Sequence, residues 1–313
     1  MDVNKNKDFS SLIELLEAFP DEQSCIDHFT ELRWRGDVRS PFKGCENSPI
    51  YRCKGNRFKC KQSNKYFTVK TGTIFEETKV PLRKWFIAIY LHTSHKKGIS
   101  SHQLAKDIKV TQKTAWFMLH RIRYALSHGG LLTAKMGGTT EADETFVGGK
   151  EKNKHKINRT EGTQGRSTKT KTPVVGVMQR GGQLRAEVTE DTTQATIERI
   201  VDKNVREGSK VMSDEWTGYQ GLGKKYEHDK MNHGQEEYVR GEVHTNNIEC
   251  AWSHFKRMLI GIYHWCSEEH LQKYVDEFAF RYNTRTIGEG DRVNIMMRKA
   301  PGKRLTYKKL IAH

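Results

Sequence analysis

The chain has 313 residues, 35% hydrophobic and 29% charged, enough for a sizeable core and for two or three domains under a polar surface. No apolar run approaches the ~18 residues a membrane span needs, and Met1–Ser11 is polar, without the apolar centre of a secretory signal, so a membrane or secreted protein is excluded and a cytoplasmic, nucleoid-associated one expected. Lys and Arg number 54 against 38 Asp and Glu, a net charge of +16, and a surplus of that size favours a polyanionic partner, nucleic acid above all.

Six cysteines (Cys25, Cys45, Cys53, Cys60, Cys250 and Cys266) in a long chain with no secretory signal are expected as reduced thiols rather than a disulfide framework. The first element is a helix carrying Phe9, Leu12, Ile13, Leu15, Leu16 and Phe19 and ended by Pro20. A second helix starts near Asp21 and carries Cys25, Ile26, Phe29 and Leu32. Arg35 to Phe67 is rich in Gly, Lys, Arg and Cys, with short strands at Ile50–Arg52 and Arg57–Lys59, the pattern of a small ribbon. A helix follows from Pro81 to about His95, with proline at the first turn, where its missing N–H needs no partner.

Ile99 to Arg123 has the pattern of helix, turn, helix. Ser100 or Ser101 caps the first helix and Thr111 the second. Ala115, Trp116, Leu119 and Ile122 are expected to face inward, leaving Gln112, Lys113, His120, Arg121 and Arg123 outward. A polar, basic second helix suits the major groove of double-stranded DNA, although an ordinary helical hairpin gives the same pattern.

Gly129 to Gly138 is a glycine-rich linker by composition. A strand is predicted over Thr139–Val147, then a basic loop from Gly148 to Thr172 with eight Lys or Arg against two Glu. Strands at Pro173–Gln179 and Gln183–Thr189 are joined by Gly181-Gly182, a hairpin signal. A helix over Thr193–Arg206, a strand at Lys210–Ser213, a long helix from Asn246 to about Tyr263 and another over Ser267–Asn283 complete the second half.

Three acidic residues sit at informative places: Asp143 within the first of these strands, Asp214 at the end of the later one, and Glu249 in the first turn of the long helix. Hard oxygen ligands of this kind suit Mg²⁺, and paired ions suit phosphodiester chemistry. The spacing alone is weakly specific, because Asp at a strand end serves turns and Glu in a first turn favours the helix dipole. Glu144 and Glu215, each next to one of the aspartates, are expected to point away from such a site. Trp252 is expected in the core, and His233, His244 and His264 are either phosphate or carboxylate partners or ordinary hydrogen-bonded histidines.

Longer motifs carry more. A-D-E-T-F-V-G-G-K, S-D-E-W-T-G-Y, V-H-T-N-N-I-E-C-A-W-S-H-F-K-R and H-L-Q-K-Y-V-D-E-F-A-F-R-Y-N-T-R occur in that order, preceded by K-Y-F-T-V-K-T-G-T-I-F-E, P-L-R-K-W-F-I-A-I-Y-L and G-I-S-S-H-Q-L-A-K-D-I-K-V-T-Q-K-T-A-W. Together they resemble the DDE transposases of the ISXO type, enzymes of bacterial insertion sequences, over about Leu12 to Arg285. The resemblance implies an α/β, RNase H-like catalytic domain, a mixed sheet flanked by helices, over residues 139–290. Before it come an N-terminal helical segment (1–35), a ribbon (36–75) and a helix-turn-helix region (76–128), with a basic tail at 291–313. It implies Asp143 and Asp214 as the first two catalytic carboxylates. For the third, Asn246, Asn247 and Glu249 are candidates, and Glu249 is preferred as a full carboxylate.

The expected cofactor is a pair of Mg²⁺ or Mn²⁺ ions held by Asp143, Asp214 and Glu249. Lys256, two turns beyond Glu249 on the same face, and Arg257 are expected on DNA phosphates, and Lys113, Arg121 and Arg123 on the DNA of the element's ends. The partners implied are terminal inverted repeats, target DNA and further copies of the chain. The family pattern also implies a zinc ribbon with two Cys-x-x-Cys knuckles; here Ser40 and Lys43 occupy the first, and Cys60 and Ser63 the second. Zinc needs four thiolates or imidazoles, so the usual site is expected to be gone, unless Cys45, Cys53 and Cys60 form a shifted one. Two rivals keep the fold: a DNA-binding regulator without chemistry, and a nuclease that cuts but never joins strands.

Overall fold

The structure, a computed structural model, describes residues 8–127, 134–149, 151–163, 167–230 and 244–312. It forms two compact units: one from both ends of the chain, up to Ser127 and from Thr286 onward, the other from the segment between. Among the described residues no helix is long and apolar enough to cross a membrane.

The first unit opens with α1 (Leu12–Ala18) and α2 (Glu22–Trp34). Asp21 and Ser24 cap α2 reciprocally, each side chain taking the other's backbone N–H. A three-stranded antiparallel ribbon follows, β1 (Ile50–Cys53), β2 (Arg57–Cys60) and β3 (Tyr66–Phe67), closed on Trp34, Phe42, Cys45, Phe58, Cys60 and Phe67. Hydroxyls gather around Cys60, whose Sγ lies 3.3 Å from Ser48 Oγ. Burial pushes the Cys60 thiol up, but the Ser48, Ser63 and Ser40 hydroxyls outweigh it and bring it down to about 6.

Next come α3 (Leu82–Ser94), α4 (Ser101–Asp107) and α5 (Gln112–Leu126), with Ser100 and Thr111 capping the last two as their positions predict. The C-terminal stretch expected to be a tail is folded instead. It forms α9 (Glu289–Arg298), packed on α2, α3 and α5, and the short α10 (Tyr307–Ile311). Val293, Met296, Met297, Ala300, Leu305 and Leu310 are buried there.

The second unit is the expected α/β layer, a mixed sheet flanked by helices. Five strands, β4 (Thr139–Val147), β5 (Thr172–Gln179), β6 (Leu184–Val188), β7 (Lys210–Ser213) and β8 (Glu227–Lys230), lie in the order β6-β5-β4-β7-β8. β4, β5 and β6 form an antiparallel meander, while β7 and β8 run parallel to β4. Between β6 and β7 lies α6 (Gln194–Asn204), and between β7 and β8 a 3₁₀ stretch, Thr217–Lys224; both cover one face with Ala142, Val175, Val177, Ile197, Ile200, Tyr219 and Leu222. The other face carries α7 (Asn246–Met258), its π-helical extension Leu259–Tyr263, and α8 (Glu268–Asn283), through Val174, Met178, Ile248, Trp252, Phe255 and Tyr274.

One contact fixes how closely α7 approaches. Gly176 on β5 is paired with Asp143 on β4, and the Trp252 indole lies against it: a Cβ built on Gly176 would meet Trp252 Cζ2 at 2.5 Å. Trp252 is therefore core, as expected, with 4% exposure. Gly176→Ala is expected to push α7 off the sheet and cost about 1–3 kcal/mol, as overpacked cores do; a thermal melt should show a lower Tm, and an unchanged one would refute the contact's importance.

Candidate active site

Asp143 and Asp214 are brought together by strand pairing. β4 and β7 pair in parallel, Thr139 with Lys210 and Glu141 with Met212. Two residues further, the same offset sets Asp143 beside Asp214, where β7 has ended and the chain turns away. Asp214 is buried, and its Oδ1 accepts the backbone N–H of Trp216 at 3.0 Å, which holds the carboxylate against the turn.

The third member of the cluster was not expected. Oxygens of Asp143, Glu144 and Asp214 lie within 4.8 Å of one another, the sole such group of His, Cys, Asp or Glu among the described residues. Strand alternation does send Glu144 to the opposite face, where its Oε2 accepts the buried Tyr219 hydroxyl at 2.8 Å. At the open end of the strands that bond leaves the carboxylate beside its neighbours rather than away from them. The sequence signal was the adjacent Asp-Glu pair itself, which alternation alone discounted.

The electrostatics record the crowding. Burial raises the Asp143 carboxyl well above its ordinary range, and Glu144, then Asp214, then Glu249 push it further in the same direction. Tyr219, buried beside the same group, is raised for the same reasons, burial first and Glu144 next. A cluster of hard oxygen donors that destabilises its own negative charge fits a divalent cation, which would neutralise it.

Glu249 is in the first turn of α7, exposed, and near enough for its charge to act on Asp143. It lies outside the 4.8 Å group. Its Oε1 accepts the Thr245 hydroxyl at 2.7 Å. Of the rival third residues, Asn247 is engaged elsewhere: its Nδ2 donates to Glu141 Oε1 at 2.7 Å, while Asn246 is exposed at the helix start. Lys256 and Arg257 are exposed in the last turn of α7. His244 Nδ1 lies 3.5 Å from Glu141 Oε1, His264 is exposed beyond the π-helical turn, and His233 falls outside the described residues.

In the helix-turn-helix region two expected DNA contacts require correction. Arg121 is 7% exposed and Arg123 1%. Arg121 donates to the carbonyls of Leu305 and Glu76, each at 3.1 Å, and lies over the Phe117 ring. The reason is the folded C-terminus: Leu305 and Lys303, which donates to the Ala125 carbonyl, cover the side of α5 expected to be free. Lys113, at the helix start, stays exposed, its Nζ 5.0 Å from the centre of the Tyr307 ring.

Comparison with known proteins agrees with the second unit. Residues 135–283 match the ISXO2-like transposase domain. The chain is similar to an uncharacterised protein in transposable element ISH50 of Halobacterium salinarum, 28% identical over 279 residues that span 85% of this chain and 92% of that one. Among solved structures, the crystal structure of the Mos1 strand transfer complex covers 72% of this chain and 77% of its own, at 10% identity and a TM-score of 0.26. The family match thus places an ISXO2-like transposase domain on residues 135–283, within the second unit, and the chain is similar beyond that domain to a protein of a transposable element.

Proposed function

We propose that the chain is an ISXO-type transposase that cuts DNA at the terminal inverted repeats of its own insertion sequence and joins the resulting ends to target DNA. Asp143, Asp214 and Glu249 hold two divalent ions, Mg²⁺ or Mn²⁺. The observation that carries the reading is the meeting of Asp143 and Asp214 at one end of two parallel strands, with Glu249 near enough for its charge to act on Asp143. When bound, such ions activate a water or hydroxyl for attack on phosphorus and stabilise the leaving oxygen.

The chain's own residues set the geometry for that step. Asp143 and Asp214 are fixed by sheet register and by the Trp216 N–H, so little motion is needed on binding. Glu249 reaches in from α7, steadied by Thr245. Glu144 adds a fourth carboxylate, held beside Asp143 and Asp214 by the Tyr219 hydroxyl. Lys256 and Arg257 lie further along α7, where a phosphate of the bound strand would pair with them. Two element ends must be processed together, so a homo-oligomer on double-stranded DNA is the working form.

Asp143→Ala and Asp214→Ala are each expected to reduce Mg²⁺-dependent nicking of element-end DNA to the metal-free background while leaving binding of the same DNA intact. Cleavage that survives Asp143→Ala would end the assignment, and a strand-transfer assay with pre-cut ends separates a transposase from a nuclease that cannot join.

The Asp143 carboxyl gives a pH signature. Its pKa is raised in the folded protein, so the fold favours the protonated form, and metal-free stability is lost as pH climbs from the unfolded pKa through the folded one. Divalent ions need the carboxylate and must displace that proton. Calorimetric Mn²⁺ titrations in buffers of different ionisation enthalpy should therefore show net proton release, with affinity rising with pH. Asp143→Asn should raise the metal-free Tm at neutral pH and abolish the release.

Lys113 and Arg121 are expected to part company. Lys113→Ala should weaken end-DNA binding and reduce the slope of log Kd against log salt by about one. Arg121→Ala should mainly lower Tm, since it strips a buried cation from two carbonyls; a loss of affinity without a loss of stability would restore it as a DNA contact.

A further inference from the structure

Helix α7 begins without a cap of its own. Thr245, at the N-cap position, accepts no backbone N–H of the first turn; its hydroxyl donates instead to the Glu249 side chain. The leading N–H groups of any helix lack intrahelical partners, and here they are satisfied from across the sheet. Glu141 Oε2 accepts the N–H of Asn247 and of Ile248, both at 3.0 Å. Oε1 accepts the Asn247 side-chain amide at 2.7 Å and Arg180 Nε at 2.9 Å. Arg180 also donates to the His244 carbonyl at 2.8 Å, just before the helix. The Glu141 side chain is wholly buried.

We infer that Glu141 is a positioning residue, a carboxylate clamp on β4 that sets the helix-borne Glu249 at its working distance from Asp143. The inference rests on the proposed sharing of a metal site by those two residues. Asp143 lies two positions along the same face of β4, and Glu249 two positions beyond Asn247 in α7. One rigid side chain therefore stands between a carboxylate fixed by sheet register and one carried on a separate helix. A negative group at a helix N-terminus also meets the positive end of the helix dipole, so the clamp is attractive as well as geometric. Asn247 anchors the start of the helix, and Glu249, two residues on, is near enough for its charge to act on Asp143.

The alternative is a buried ion pair that only stabilises the fold. Full-length wild type, Glu141→Gln, Glu249→Gln and the double variant separate the two. Mn²⁺ binding is read by paramagnetic resonance of the free ion, backbone amide exchange at residues 247–249 by mass spectrometry or NMR, and stability by thermal melting. Glu141→Gln should weaken Mn²⁺ binding by about tenfold to a hundredfold, the usual effect of losing a residue that orients a ligand. It should also speed exchange at Asn247 and Ile248. The double variant should bind no more weakly than Glu249→Gln alone, because Glu141 acts through Glu249.

Wild-type Mn²⁺ affinity in Glu141→Gln, with only Tm reduced, would overturn the inference, as would losses that multiply in the double variant. If the wild type itself binds no Mn²⁺, the metal reading fails separately, and exchange then decides the clamp: faster exchange at 247 and 248 supports it, unchanged rates refute it. Should Glu141→Gln fail to fold, Arg180→Gln removes one donor from the same carboxylate and is judged by the same criteria.

Discussion

Carboxylates repel one another, and the repulsion grows as water is removed; two like unit charges 4 Å apart repel by ~1 kcal/mol in water and ~4 kcal/mol at the effective dielectric of a protein surface. The second unit nonetheless gathers Asp143, Glu144 and Asp214 within 4.8 Å, with two of the three buried. Such an arrangement persists only if the surroundings over-determine it. Here they do: β4 is the central strand, bonded to β5 on one side and β7 on the other, with helices on both faces. The unfavourable charge sits on the central strand of the sheet, and in the proposed reading a divalent cation would offset it.

The same strand distributes its acidic side chains to different tasks by alternation and by position along the sheet. Glu141, deep in the layer, is consumed by backbone donors and Arg180. Glu144 is bound by Tyr219 on the opposite face. Asp143, at the end where β7 has stopped pairing, has no comparable set of donors, and burial among its acidic neighbours favours its protonated form. Four residues of one strand thus contain a helix anchor, a cluster member held by a phenol and the centre of the proposed chemistry. Their fates differ through what the fold places opposite each.

Much of this was legible in the sequence where local rules dominate. The bounds of β4 and β7, the caps of α4 and α5, the hairpin at Gly181-Gly182 and the start of α7 all follow from residue type, periodicity and turn chemistry. So did the meeting of Asp143 and Asp214, through motifs rather than spacing. What was not legible depends on partners distant in the chain. Arg121 and Arg123 look solvent-facing on a helical wheel, and only the return of Leu305 and Lys303 onto α5 buries that side. β8 is a short, polar edge strand of Glu227–Lys230, without the alternation that marks a half-buried strand. Glu141 carries no signal of its own, since a buried acid is recognisable only by its donors, which lie 39 and 106 residues away.

The folding of the C-terminus into the first unit has a topological consequence. Because that unit is built from both ends of the chain, the second unit is an insertion, entered after Ser127 and left at Arg285. Two covalent crossings join the units instead of one. A single nick in either crossing would leave both halves attached, and a nascent chain cannot complete its first unit until the ribosome has synthesised the second. Any copy truncated by a frameshift within the second unit would therefore lose the packing of its N-terminal unit as well, so such a fragment is a poor candidate for a free-standing DNA-binding remnant.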